Sequence, residues 1–298
     1  MLEEAVPNPA TLKNVPRISE SRRFLRIFLS RGVVIFGVII TLLFIIAAIF
    51  APLIAPYDPN KLDMNNSLLQ PGKAHLLGTD SLGRDTLSRT IYGTRVSLII
   101  GLVVVVLGSI VGMALGLIAG YYGGWVHAVV MRLIDMLMAF PMLVLALLIA
   151  TLLGAGIRNV ILALSLTMVP AYARLMCGQV MTVKENDYIL AERSIGARNT
   201  RVMLRHLAPN CFPPLIVMMT MMLGLTILAE AGLSFLGIGV QPPTPTWGNM
   251  VNDGRQYLVT NPILSFAPGL AIMLVVYAFN MIGDGLRDAL DPQLKGVI

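Results

Sequence analysis

Apolar positions along this chain come in long uninterrupted runs, not in the spaced stripe of a surface helix or the alternation of a half-buried strand. Residues 32 to 57 carry no charge between Arg31 and Asp58. A helix needs about 20 apolar residues to cross a bilayer, so the pattern predicts a first span from Val33 to Leu53. The next uncharged run, Val96 to Val126, closes on Tyr121-Tyr122-Gly123-Gly124-Trp125. Interface-seeking rings and helix-breaking glycines place the end of span two near Gly120. A third run lies between Asp135 and Arg158. The fourth starts after Asn159 and carries Arg174 near its end, where a long side chain reaches the headgroups. Span five begins near Pro214 and holds Glu230; span six runs from Ile263 to Ile282. The expectation is an all-α integral membrane protein with six transmembrane helices.

Composition agrees. Of 298 residues, 56% are hydrophobic and 13% charged, and the mean hydropathy is +0.78. A water-soluble globule cannot hide that much apolar surface, and a disordered chain needs the opposite balance. The net charge of +6 would suggest nucleic acid if it formed one patch. Instead the cations bracket the apolar runs, as topology signals do.

Six spans put both termini on one side. Lys13, Arg17, Arg22, Arg23, Arg26 and Arg31 precede span one, and Arg174, Lys184, Arg193, Arg198, Arg201 and Arg205 follow span four. With Arg132, Arg287 and Lys295 they outnumber the cations of the opposite face, so the positive-inside rule makes both termini cytoplasmic. Lys61, Lys73, Arg84, Arg89 and Arg95 crowd one outer loop and argue against that choice; the even number of spans retains it. The organisation that follows is a cytoplasmic arm over 1–31, a first span within 32–57, a periplasmic segment over 58–94, a core over 95–283 with a cytoplasmic loop over 177–211, and a tail over 284–298. No cleavable signal is expected, because the first apolar run begins late, is too long, and leads into Pro56-Tyr57-Asp58-Pro59. The stretch from Arg22 to Leu29 mixes basic and bulky apolar residues, which suits either a helix lying in the interface or a plain start to span one.

Candidate chemistry is sparse. Gly108, Gly112, Gly116 and Gly120 recur every fourth residue on one helix face, the small-residue mode of membrane helix packing. Met218, Met219, Met221 and Met222 give span five either a flexible thioether surface, with Met218 and Met222 as candidate pathway residues, or ordinary lipid and core contact. Glu230 stands alone in an apolar stretch, as a pathway or gate group or as a buried structural carboxyl. Asp135 and Asp284 flank spans three and six; as a proton-sharing dyad they would make an intramembrane protease. Cys177, Cys211, His75, His127 and His206 have no disulfide or metal spacing and are read as structural. Gly72-Lys73-Ala74 is only a fragment of a phosphate loop, and Gly232 to Gly237 lacks nucleophile-elbow spacing. No catalytic residue and no metal site is expected in this chain.

The loop after span four carries the most information. Asn186 or Asp187 can cap a helix that Gly196 ends in a left-handed turn. Asn199 or Thr200 can cap a second one, limited by Pro209. Tyr188, Ala191 and Ile195 share a face of the first helix. Such a helix–glycine–helix knuckle is suited to dock on a cytoplasmic partner.

At this loop the sequence resembles the inner-membrane permeases of bacterial ABC importers, whose signature is E-A-A, three residues, a glycine, nine residues, then I-x-L-P. Ala191, Gly196 and Pro209 keep the pattern; Leu190, Glu192, His206 and Ala208 depart from it. The peptide-importer branch shows A-A-R-x-x-G and R-H-x-x-P-N here. The second, C-type permease of that branch is also similar at Ala55 to Pro59, His75 to Asp85, Gln241 to Gly248 and Phe279 to Pro292. The resemblance implies a type I importer permease in the bacterial inner membrane. It would pair with a second permease, two cytoplasmic ATPases that bind ATP and magnesium, and an extracytoplasmic solute-binding protein. Asp187, Tyr188, Ala191, Glu192, Gly196, Ala197, Arg201 and Pro209 would form the ATPase-coupling loop. Dipeptides, oligopeptides, nickel complexes and other small solutes are the substrates it allows. An ion-coupled secondary transporter is the alternative from another class.

Overall fold

The computed structural model describes residues 20–290. The cations Lys13, Arg17 and Lys295, and the tail beyond Leu290, lie outside the described residues. Twelve helices follow in order: α1 (Glu20–Phe28), α2 (Gly32–Ile49), α3 (Ala51–Ile54), α4 (Thr86–Tyr122), α5 (Gly124–Met138), α6 (Met142–Leu153), α7 (Ile157–Val183), α8 (Asp187–Ser194), α9 (Asn199–Arg201), α10 (Ala208–Phe235), α11 (Trp247–Gly254) and α12 (Ile263–Leu290), with short 3₁₀ turns between some of them. Among the described residues there is no strand ladder, only one isolated bridge between Thr79 and Asp85.

Close approaches at glycines give the directions of the long helices. Gly108 of α4 lies against Ser165 and Met168 of α7, and Gly120 against Cys177 and Val180. Both numbers rise together, so α4 and α7 run parallel. The chain must therefore return along the bundle between Tyr122 and Ile157, and α5 and α6 make that return as a pair bent by 91°. Legs of about 22 and 18 Å at right angles cover roughly 29 Å, close to the hydrocarbon thickness of a bilayer. The bent pair is one crossing, and with α2, α4, α7, α10 and α12 it completes six.

The bend differs from the straight third span expected between Asp135 and Arg158. Pro141 sits at the start of α6 without an N–H to donate, and it pushes Phe140 out of helical geometry. Asp135 accordingly lies near the end of α5, where it pairs with Arg174 of α7. No hydrogen bond or ion pair between Asp135 and Asp284 appears among the described residues, so the imagined dyad is not assembled.

Gly37 of α2 meets Ala278 and Met281 of α12 while Gly285 meets Val34, and Gly224 of α10 meets Val276 while Gly283 meets Met221. Both α2 and α10 are therefore antiparallel to α12. Arg31 and Asp288 close the α2–α12 seam with an ion pair of 2.9 Å. Residues 32, 122, 184–207 and 290 thus share one end of the bundle, here the knuckle end. Residues 50–86, 154–156 and 236–262 share the other, the loop end. The described termini lie together at the knuckle end. α1 is a separate helix, broken from α2 at Leu29–Arg31, so the basic stretch is not a continuous start to the first span; Phe24 stacks on Phe28 at 5.9 Å.

Two further boundaries differ from the sequence expectation. α4 begins at Thr86, not Val96, because Asp85 caps it: its Oδ2 accepts the Ser88 N–H and hydroxyl at 2.7 Å each. The last residues of the expected 58–94 segment are therefore helical. Pro209 does not stop the second knuckle helix either. α9 continues through a π-type turn over Val202–Leu207 into α10. Its wider turns move the ladder around a proline that has no N–H.

Candidate functional site

At the knuckle end, α8 closes in a left-handed turn. Gly196 has φ +80°, its N–H donates to the Arg193 carbonyl at 3.0 Å, and the Ala197 N–H donates to the Glu192 carbonyl at 3.1 Å. This is the paired closure of a Schellman motif, which favours glycine at the turning residue. Asn186 precedes α8, but its side chain makes no capping bond. Ile189 is fully buried beneath the knuckle, while Tyr188, Leu190 and Ile195 are 44%, 45% and 79% exposed. Ala191 and Asp187 are exposed as well. The knuckle is thus held by one buried anchor and presents an apolar face outward.

Its ties to the bundle were not legible from spacing. The Tyr121 hydroxyl donates to Asn199 Oδ1 at 2.7 Å, and the Arg193 guanidinium lies over the Tyr121 ring at 5.0 Å. Lys184 Nζ donates to the Gly120 carbonyl at 3.1 Å. Glu192 and His206 approach to 3.4 Å and join α8 to the π-type turn. Arg201 is exposed, and Pro209 opens α10.

Beside the knuckle lies a cavity of about 550 Å³, lined among others by Gln179, Asn210, Met218, Met222 and Arg287. Two of the three candidate pathway residues, Met218 and Met222, are therefore on its wall. Glu230 is not. It is fully buried near the loop end of α10, where Oε1 accepts from the Ser234 hydroxyl at 2.8 Å and Oε2 lies 3.5 Å from the Ser97 hydroxyl. The Thr246 side chain faces the same carboxyl. Three hydroxyls from α4, α10 and the start of α11 converge on it, surroundings that suit the structural-carboxyl alternative.

The four glycines Gly108, Gly112, Gly116 and Gly120 line the α4–α7 seam, where an added Cβ at any of them would meet backbone of α7 closer than 3.0 Å. The histidines are absorbed locally: His75 Nδ1 pairs with Asp85 Oδ1 at 2.8 Å, and His127 approaches Cys177 at 3.5 Å. Among the described residues no group of His, Cys, Asp and Glu has metal-binding geometry.

The loop end holds charges that the sequence offered only as topology signals. Arg84 Nε donates to Asp80 Oδ2 at 2.7 Å, Arg89 Nε lies 3.5 Å from the same oxygen, and Arg89 Nη1 donates to the Pro59 carbonyl at 3.0 Å. Both arginines are buried. Two of the five cations that opposed the orientation are thus buried structural ties.

Six crossings with glycine-packed seams, a protruding knuckle and a cavity open beside it define a polytopic helical membrane protein. The family model for the inner membrane component of binding-protein-dependent transport systems matches residues 112–296. That for the N-terminal transmembrane domain of oligopeptide transport permease C matches residues 19–71. The chain belongs to this family of ABC importer permeases, in its oligopeptide and dipeptide branch: a multi-pass inner-membrane transporter subunit, not an enzyme. It is 46% identical over 276 residues to the glutathione transport system permease protein GsiD of Shigella flexneri serotype 5b (strain 8401), covering 92% of this chain and 90% of the relative. Identity to the same permease of Escherichia coli O157:H7 is 45% over equal coverage. Among solved structures, the inward-facing MetNI methionine ABC transporter matches with a TM-score of 0.52 at 18% identity, over 68% of this chain and 96% of that one. At that identity the likeness concerns the fold.

Proposed function

We propose that this chain forms half of the translocation pathway of an ATP-driven importer for short peptides of glutathione size. Its knuckle end lies in the cytoplasm and docks on the ATPases; its loop end faces the periplasm, where a solute-binding protein delivers the substrate. A second, homologous permease supplies the other half of the cavity wall. The observation that carries the substrate class is the 46% identity to a permease named for glutathione transport. The cavity wall supports it: mobile thioethers tolerate varied side chains, while Gln179, Asn210 and Arg287 offer donors to peptide carbonyls and carboxylates. The exposed Tyr188, Ala191 and Ile195 beside the Gly196 turn support the docking role.

Uptake of radiolabelled glutathione and of a dipeptide panel, in cells stripped of other peptide importers and carrying the intact system, tests this reading. Uptake that stops on ATP depletion but survives collapse of the ion gradients is expected. Transport of nickel complexes without any peptide would overturn the substrate assignment. Orientation has its own measurement. A cysteine at Lys73 should react with an impermeant thiol reagent from the periplasmic side, and one at Arg198 only after the inner membrane is opened.

A further inference from the structure

We infer that Tyr121 is a positioning residue: the clasp through which movement of the knuckle reaches α4. This rests on the reading that the knuckle docks on the ATPases. A docked α8 can do work on the spans only through side chains that hold it to them. Covalently it is tied at Lys184, after α7, and at the segment that enters α10. Neither covalent path passes through α4, the 37-residue helix that carries the glycine stripe. The hinge residue Lys184 meets it only through a hydrogen bond to the Gly120 carbonyl, and the two knuckle helices themselves meet it at Tyr121.

Tyr121 supplies that connection from both faces of the knuckle. Its hydroxyl donates to Asn199 at the start of α9, and its ring receives Arg193 from the last turn of α8. One side chain therefore touches the helix before the Gly196 turn and the helix after it. Tyr121 is buried, 4% exposed, and Tyr122 packs edge-on against its ring at 5.2 Å. The ring therefore cannot swing freely with the knuckle. α4 ends two residues later at Gly123, with φ +65°, so the clasp sits at the terminus where a push acts on the whole helix. One residue before Tyr121, Gly120 lies against Cys177 and Val180 of α7. Displacement passed to α4 is thereby shared with its parallel neighbour. A cation over an aromatic face and a neutral hydroxyl bond tolerate small rotations differently, so the two contacts are separable by substitution.

The test uses the complete complex of this chain with its second permease, ATPases and binding protein, reconstituted in proteoliposomes. A cysteine at Met218 reports the cavity through its labelling rate, measured without nucleotide and in the ATP–vanadate trapped state. Trapping should protect it about fivefold or more in the parent, the lower range of an allosteric coupling. Tyr121→Leu removes both contacts and should leave less than about twofold protection with the ATPases still bound. Tyr121→Phe and Asn199→Ala each delete the hydroxyl bond alone, one from inside and one from the surface. They should give the same intermediate protection, a coincidence that a mere packing defect at Tyr121 would not produce. Full protection in Tyr121→Leu with the ATPases retained overturns the clasp, as does a normal Asn199→Ala beside a defective Tyr121→Phe. If Tyr121→Leu fails to assemble, the Phe and Ala pair decides by the same criterion. A crosslink from a cysteine at Ile195 to the ATPase is measured in parallel on the parent complex. Its absence would overturn the docking reading and the clasp with it, whereas its presence with undiminished protection overturns the clasp alone.

Discussion

The two ends of this bundle are built on opposite plans. At the loop end, polar groups are turned inward and bonded to one another. Asp80 holds Arg84 and the backbone N–H of Leu82, Asp85 caps α4 while holding His75, and Trp247 is fully buried with its Nε1 donating to the Thr90 carbonyl at 3.0 Å. Gln70 reaches across to the Thr260 carbonyl at 2.8 Å, tying the first long loop to the approach to α12. At the knuckle end a few side chains fasten a small helix that turns Tyr188, Leu190 and Ile195 outward, next to an open cavity. The loop end pairs its buried charges within this one chain, while Leu53, Leu76 and Val259 stay exposed around them. The knuckle end leaves apolar area uncovered, a state a protein keeps where a partner or a pathway belongs.

That contrast can be broken most forcefully at Asp80. Replacing Asp80 by Ala removes the carboxylate that both buried arginines contact, leaving Asp253 as the remaining acidic neighbour, and breaking a buried pair costs about 3–5 kcal/mol. Thermal unfolding of the solubilised complex should fall accordingly, and the yield in the membrane with it. An unshifted melting curve would mean that the loop end is not the rigid pole. The seam joining the ends comes next. At Gly116 a Cβ would meet the Ala173 carbonyl and, at 2.8 Å, Met176. Gly116→Val therefore overpacks α4 against α7 at a cost of roughly 1–3 kcal/mol, visible as reduced assembly with the second permease.

Gly196→Val should strike the knuckle alone. Nothing lies within 4 Å of the added Cβ, so the cost is the strain of a β-branched residue in the left-handed region, about 1–2 kcal/mol. The unfolding temperature should stay near the parent value while uptake per ATP hydrolysed collapses or the ATPases are lost. Parent values for retention, hydrolysis and uptake together would show that the turn is an ordinary helix end. The smallest effect belongs to Glu230→Gln. Surrounding hydroxyls can rotate to accept from the amide, and the side chain lies away from the cavity. Stability should change by less than about 1 kcal/mol, with transport close to parent. A large loss of transport in a stable variant would return Glu230 to the pathway.

The comparison also explains what was readable along the chain. Spans, their number and the Gly196 turn follow from local properties: apolar length against bilayer thickness, and the backbone freedom of one glycine. Boundaries failed where a polar residue acts at a distance from the apolar run, as Asp85 does in starting α4 well before Val96. They failed again where prolines redirect the hydrogen-bond ladder. Pro141 breaks a run that hydropathy reads as continuous, and Pro209 is accommodated where spacing predicts a stop. Glu230 was visible as an isolated carboxyl with Ser234 one turn later on the same helix, but its other hydroxyl partners come from Ser97 and Thr246, which no local pattern associates with it.

The sequence by itself determined an all-helical membrane chain with six crossings, one face of glycines and a knuckle after the fourth span. Each of these depends on the solvation of a single segment or the conformational freedom of a single residue. Tertiary structure alone decided that α4 and α7 run parallel, that the third crossing is bent, and that Arg84 and Arg89 are internal ties. It also decided that Met218 and Met222 reach the cavity while Glu230 does not, and that Tyr121 meets Arg193 and Asn199. Those outcomes depend on distances between residues far apart in the chain, which packing sets and hydropathy does not encode.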